Sequence, residues 1–107
     1  MSVEPIAALN DRCRKSIQHS RCYMTQGVIA LAKENLNALL KAVREFDAFT
    51  PDNDPYGEHD FGAFEFAGQR LFWKIDTYAD DSLTYGAEDP LSPKAVRVIT
   101  IMRTDEY

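Results

Sequence analysis

Apolar side chains recur at Ile6, Leu9, Cys13 and Ile17, with Asp11, Arg12, Arg14 and Lys15 in the positions between. Steps of three and four residues mark one apolar face of a helix. Pro5 fits the first turn of such a helix, where its missing N–H is harmless. The spacing predicts an amphipathic helix over residues 4–18. Arg21-Cys22-Tyr23-Met24-Thr25 alternates and runs into Gly27, which predicts a short strand. Leu36, Leu39, Leu40, Val43 and Phe46 form a second stripe, with Lys33, Glu34, Lys41 and Arg44 largely off it. That predicts a helix over about 31–47, stopped by the Thr50-Pro51 step.

The pattern changes to alternation in the second half. Phe61–Phe66 and Arg70–Asp76 predict a hairpin turning about Ala67-Gly68. A two-residue loop sets Glu65 opposite Arg70, Phe64 opposite Leu71 and Gly62 opposite Trp73: an ion pair, an apolar pair, and a glycine making room for an indole. In that register Asp60 lies opposite Ile75 and beside Asp76. Ala67 is a poor residue for the positive φ of a type I′ turn, so a longer loop is the alternative. Residues 80–93, rich in Asp, Pro, Ser and Gly, predict a long loop. Val96–Met102 is apolar on both faces and predicts an interior strand. The expectation is a single α+β domain over residues 1–107. Two helices pack on one small, mostly antiparallel sheet, in the order α-β-α-β-β-β.

Composition narrows the class. With 107 residues and 45% hydrophobic content the chain can bury a modest core without staples. No apolar run approaches the roughly 20 residues that cross a membrane, and Met1-Ser2-Val3-Glu4-Pro5 lacks a signal-peptide pattern. A cytoplasmic location is expected. Cys13 and Cys22 form no CxxC pair and read as buried free thiols, with a single bridge between them as the alternative. Residues 1–46 carry seven basic and four acidic groups, residues 47–92 two and eleven, and residues 93–107 three and two. An acidic block of net −9 therefore follows a mildly basic start. Direct binding to nucleic-acid phosphates is disfavoured, whereas a cation or a basic protein surface would be attracted.

The candidate chemistry lies in Phe49-Thr50-Pro51-Asp52-Asn53-Asp54-Pro55-Tyr56-Gly57-Glu58-His59-Asp60. Carboxylates this close repel one another unless solvated or compensated. Asp52-x-Asp54-x-x-Gly57 matches the opening of an EF-hand loop, but Tyr56 stands at position five and Ala63 where a bidentate Glu must close the cage. A transition metal could use His59 with Glu58, Asp60 or Asp54, although one histidine rarely suffices. His59 among carboxylates could also shuttle protons, yet no nucleophile with a matched base is evident. The plainest reading is structural. Asp and Asn before proline initiate turns and cap free N–H groups, and Gly57 supplies an awkward φ.

The run from Phe46-Asp47 through Thr50-Pro51-Asp52-Asn53-Asp54-Pro55 to Gly57-Glu58-His59-Asp60-Phe61-Gly62 resembles the bacterial family known as domain of unknown function 3768. Phe72-Trp73-Lys74-Ile75-Asp76, Tyr85-Gly86, Thr100-Ile101-Met102 and Glu106-Tyr107 extend the resemblance over nearly the whole chain. The chain departs at Thr77, where the family pattern has a second aromatic. The resemblance implies a small cytoplasmic protein of bacteria and their mobile elements, with no activity to carry over. It directs attention to residues 46–76. The expected function is a non-catalytic binding or regulatory protein engaging a macromolecular partner through Asp52, Asp54, Tyr56, Glu58, His59, Asp60 and Asp76. That partner could be a host nuclease or defence complex. No cofactor is implied. The alternatives are a small metal-dependent enzyme built on Glu58, His59 and Asp60, and a homodimer pairing through its C-terminal strand.

Overall fold

The hairpin forms in the register its side chains predict: Glu65 faces Arg70, Phe64 faces Leu71 and Gly62 faces Trp73. Its turn is the tight two-residue one, with Ala67 at φ 52° and Gly68 at φ 78°. Ala67 therefore accepts a left-handed conformation that costs an alanine about 1 kcal/mol, because the cross-strand pairs fix the loop length. The computed structural model describes residues 4–107. Met1–Val3, part of the segment searched for a leader pattern, lie outside the described residues.

Along the chain run α1 (Glu4–Lys15), a 3₁₀ turn (Ile17–His19), β1 (Arg21–Met24), α2 (Gln26–Ala32) and α3 (Leu36–Arg44). Then come β2 (Phe61–Phe66), β3 (Gln69–Tyr78), β4 (Val96–Arg103) and a final 3₁₀ turn (Thr104–Glu106). The strands lie in the order β1-β4-β3-β2. β2–β3 and β3–β4 are antiparallel, and β1 is parallel to β4. The result is the expected α+β arrangement of helices on one mixed, mostly antiparallel sheet. Leu71, Trp73 and Ile75 join Ile99 and Ile101 from β4 in a core closed by Ile17, Val28, Ala32, Leu39 and Val43. Phe64 packs against this cluster. Ile75 N donates to Asp60 O at 2.8 Å, so the pairing continues to the residue predicted.

β4 is interior, as its two apolar faces require, with Val98, Ile99, Ile101 and Met102 all buried. Paired on both sides, it has no edge to offer a second copy, which corrects the expectation of a dimer formed through the C-terminal strand. The free edges belong to β1 and β2.

Two helical expectations also change. The helix predicted over 31–47 is broken. Thr25 Oγ1 accepts from Val28 N and starts α2 earlier, Lys33 at φ 49° ends it, and a 3₁₀ turn leads into α3. Phe46 falls beyond the last turn. The predicted first helix stops at Lys15, and its buried face is Ala7, Asn10 and Arg14, continued by Ile17 in the turn. Leu9 and Cys13 flank that face half-buried. The buried row keeps steps of three and four residues, but two of its members are polar.

Among the described residues, no helix is long and apolar enough to cross a membrane. Cys13 and Cys22 are free and half-buried. Burial pushes both thiols up, Cys22 to about 11, which leaves them poor nucleophiles.

Candidate functional site

The connection from α3 to β2 is held by its own turn chemistry. Thr50 N donates to Asn53 Oδ1 at 2.9 Å, Asn53 Nδ2 to Ala48 O at 3.0 Å, and Asp54 N to Thr50 O at 2.8 Å. These short polar side chains do what such residues do before proline: they replace a ladder with local hydrogen bonds. Asp54 then turns inward. Its side chain is only 5% exposed, and Oδ1 accepts from the backbone N–H of both Glu58 and His59, at 3.1 and 3.2 Å. Gly57 and His59 take positive φ, 64° and 55°. For His59 this is a strained conformation, and Asp54 holds it in place.

The imidazole that results is fixed on three sides. Its Nδ1 lies 2.9 and 3.1 Å from the two carboxylate oxygens of Asp11 in α1. An ionised carboxylate only accepts, so Nδ1 carries the proton and donates. Nε2 faces Asp54 Oδ2 at 3.6 Å, beyond hydrogen-bond length. The ring stacks on Phe49, centroids 4.0 Å apart and planes within 3°. Arg14 lies behind Asp11, 2% exposed. Its NH2 reaches Asp11 at 3.2 Å, and NH1 donates to the carbonyls of Val43 and Arg44 at 3.0 and 2.8 Å. The guanidinium carbon sits 5.5 Å from the Phe49 ring centre and 5.3 Å from that of Trp73. A second chain of contacts runs through Asn10. It donates to Glu58 O and accepts from Arg97 Nε, both at 2.9 Å, while Arg97 NH2 donates to Pro90 O at 2.6 Å.

The remaining carboxylates point elsewhere. Asp52 and Tyr56 are exposed, Tyr56 by 75%. Glu58 and Asp60 are half-buried, and burial raises both carboxyls above their ordinary values; Asp60 and then Asp54 raise Glu58 further, and Asp54 and Asp76 raise Asp60, partly offset there by a backbone hydrogen bond and by His59. Asp76 pairs with Lys74 at 3.1 Å. The seven residues expected as a surface thus divide. Asp54 and His59 hold the loop together, while Asp52, Tyr56, Glu58 and Asp60 face outward or sit at the rim beside Asp76.

Asp11, Arg14, Asn10 and Arg97 lie outside the segment that the sequence singles out, and Phe49 stands only at its start. The signal for two of them was present: Asn10 and Arg14 are four residues apart, on the helical row that also carries Ala7 and Ile17. Polar residues on a buried row announce partners from elsewhere in the fold. Together with Phe46, the residues Asp11, Arg14, Phe49 and His59 line a cleft of about 650 Å³ between α1 and the end of α3.

The chemistry open to the site follows from where its donors point. Asp11 holds His59 Nδ1, and Nε2 turns toward Asp54 at 3.6 Å. Among the described residues, no group of three or more His, Cys, Asp or Glu side chains is placed to hold a metal ion.

No curated protein and no solved structure matches the chain. A family model described as Protein of unknown function (DUF3768) matches residues 24–106. The matched stretch holds α2, α3, β2, β3, β4 and the whole acidic loop; α1 with Asp11 and Arg14, which anchor the loop, and β1 up to its last residue precede it. Matched over most of its length, the chain belongs to that family.

Proposed function

We propose that this is a non-catalytic binding protein of the cytoplasm. In this reading it engages a basic macromolecular partner through Asp52, Tyr56, Glu58 and Asp60. The observation that carries the reading is the lack of compensation around Glu58 and Asp60. They lie beside Asp54 and Asp76; among the described residues neither forms an ion pair, Lys74 pairs with Asp76 instead, and only the nearby His59 ring and a backbone hydrogen bond offset the crowding at Asp60. Holding carboxylates together without a counter-charge costs stability, and a partner bearing Lys or Arg would remove that cost on binding. Asp54 and His59 serve the surface indirectly, by fixing the backbone that displays it.

A nucleic-acid-binding protein is the class of partner whose surface answers this pattern, since its phosphate-contacting cations are spaced for a row of anions. Occupying such a surface would make the protein an inhibitor, a role suited to a gene carried on a mobile element. The test is binding to purified nuclease and nucleic-acid-binding subunits as salt is raised. From 0.1 M to 1 M the Debye length falls from ~10 Å to ~3 Å, and affinity should fall steeply with it. The triple change Asp52→Asn, Glu58→Gln, Asp60→Asn should weaken binding while the fold persists. Salt-insensitive binding, or binding that survives the triple change, would refute the electrostatic mechanism.

A further inference from the structure

The cleft beside His59 has a neighbour. Lys15 and Arg44, at the ends of α1 and α3, line it and also line a second cleft of about 250 Å³, completed by Ser16, Ile17, Gln18 and His19. The two hollows differ in character. The larger is floored by Phe46 and Phe49, and its carboxylates are Asp11, Glu45 and Asp47. The smaller contains no carboxylate.

Basic side chains at helix C-termini ordinarily serve the terminal carbonyls. Here other groups already do so. Arg14 takes the carbonyls of Val43 and Arg44, and Ser20 Oγ shares its one proton between those of Cys13 and Ser16, at 2.8 and 3.0 Å. Among the described residues, neither Lys15 nor Arg44 forms an ion pair or a side-chain hydrogen bond. Two unspent cations thus stand where an apolar chamber meets a polar one free of acid.

We propose that the paired clefts are one binding site for a small organic anion with a ring-sized apolar body. The body lies on Phe46 and Phe49, and a carboxylate or phosphate head sits between Lys15, Arg44 and the His19 ring. The larger hollow falls within the ~300–1,000 Å³ of ordinary small-ligand sites. A head group in the smaller hollow meets the cations while keeping clear of Glu45 and Asp47.

Trp73 is the only tryptophan in the chain, and its indole lies 5.5 Å from the Phe46 ring and 6.1 Å from that of Phe49. Its N–H resonance is therefore a built-in reporter for the chamber, and the amides of Ser16 and His19 report on the annex. Titration with phenyl phosphate or phenylacetate should shift both sets together and saturate. The tighter of the two probes identifies the head group. Benzyl alcohol, which lacks the charge, should bind about tenfold or more weakly, and so should the anions to the Lys15→Ala/Arg44→Ala variant. Those two side chains are partner-free, so the variant should keep the wild-type Tm. Three results would overturn the site: no saturable shift with either anion, equal binding of benzyl alcohol, or undiminished binding by the double variant.

Discussion

Arg14 is the side chain on which the arrangement around His59 most depends. It is a buried cation whose donors are divided between Asp11 and the carbonyls that end α3, and whose guanidinium carbon lies over the Phe49 and Trp73 rings. Its Nε, without a partner, marks what burial has cost. Arg14→Ala would take one donor each from Asp11 and the carbonyls of Val43 and Arg44, leaving Asp11 to His59 alone, and open a cavity beside the tryptophan. Removing one member of a buried charged network typically costs about 3–5 kcal/mol, and urea unfolding should show a loss of that order. Arg14→Lys should recover little of it, because a point charge on a flexible stem cannot reproduce the fork and the ring contacts together. A lysine variant as stable as wild type would mean that charge alone, without geometry, holds α1 to the loop.

Elements were legible in the sequence where side-chain pairing and periodicity agreed. The β2–β3 register followed from Glu65 with Arg70 and Gly62 with Trp73, and the interior position of β4 from its apolar faces. What escaped was governed by tertiary contact. The break at Lys33 leaves no periodic mark, and the early start of α2 depends partly on Glu106, whose carboxylate accepts from Thr25 Oγ1 and Gly27 N at 2.6 and 3.2 Å from the far end of the chain. Arg14 read as a solvated residue because nothing local shows that Val43 and Arg44 wait for it. The acidic loop was visible as a candidate, but its division into inward and outward carboxylates required the fold. Gly62 tests the element that was read best. A Cβ there would overlap the Trp73 indole and come within 2.8 Å of Phe46 Cζ. Gly62→Ala should therefore cost about 1–3 kcal/mol, the range for overpacking, with altered near-ultraviolet dichroism from Trp73. Unchanged stability would show that the indole can shift at no expense.

Across the whole molecule, one end of the sheet gathers negative charge while the C-terminal ends of α1 and α3 hold Lys15 and Arg44 unspent. The acidic end bears the central claim: Asp54 supports the loop, whereas Glu58 and Asp60 are kept at a cost in stability and are available to a partner. The pH dependence has a definite sign. A carboxyl raised in the native state binds its proton more tightly there than in the unfolded chain. The stability it contributes is complete below its ordinary value and is lost as pH rises through the raised native one. At neutral pH the two ionised groups therefore weigh against folding. The most direct measurement is the Tm of Glu58→Gln/Asp60→Asn beside that of Asp54→Ala, at pH 7 and again at about pH 3, below the ordinary carboxylate range. The account predicts that the double change raises Tm at pH 7 and that its advantage shrinks at the acid pH. It predicts that Asp54→Ala loses about 1–3 kcal/mol by stranding the N–H groups of Glu58 and His59. A double variant less stable than wild type at neutral pH would contradict it, because Glu58 and Asp60 would then be supports of the fold and not a surface held in reserve.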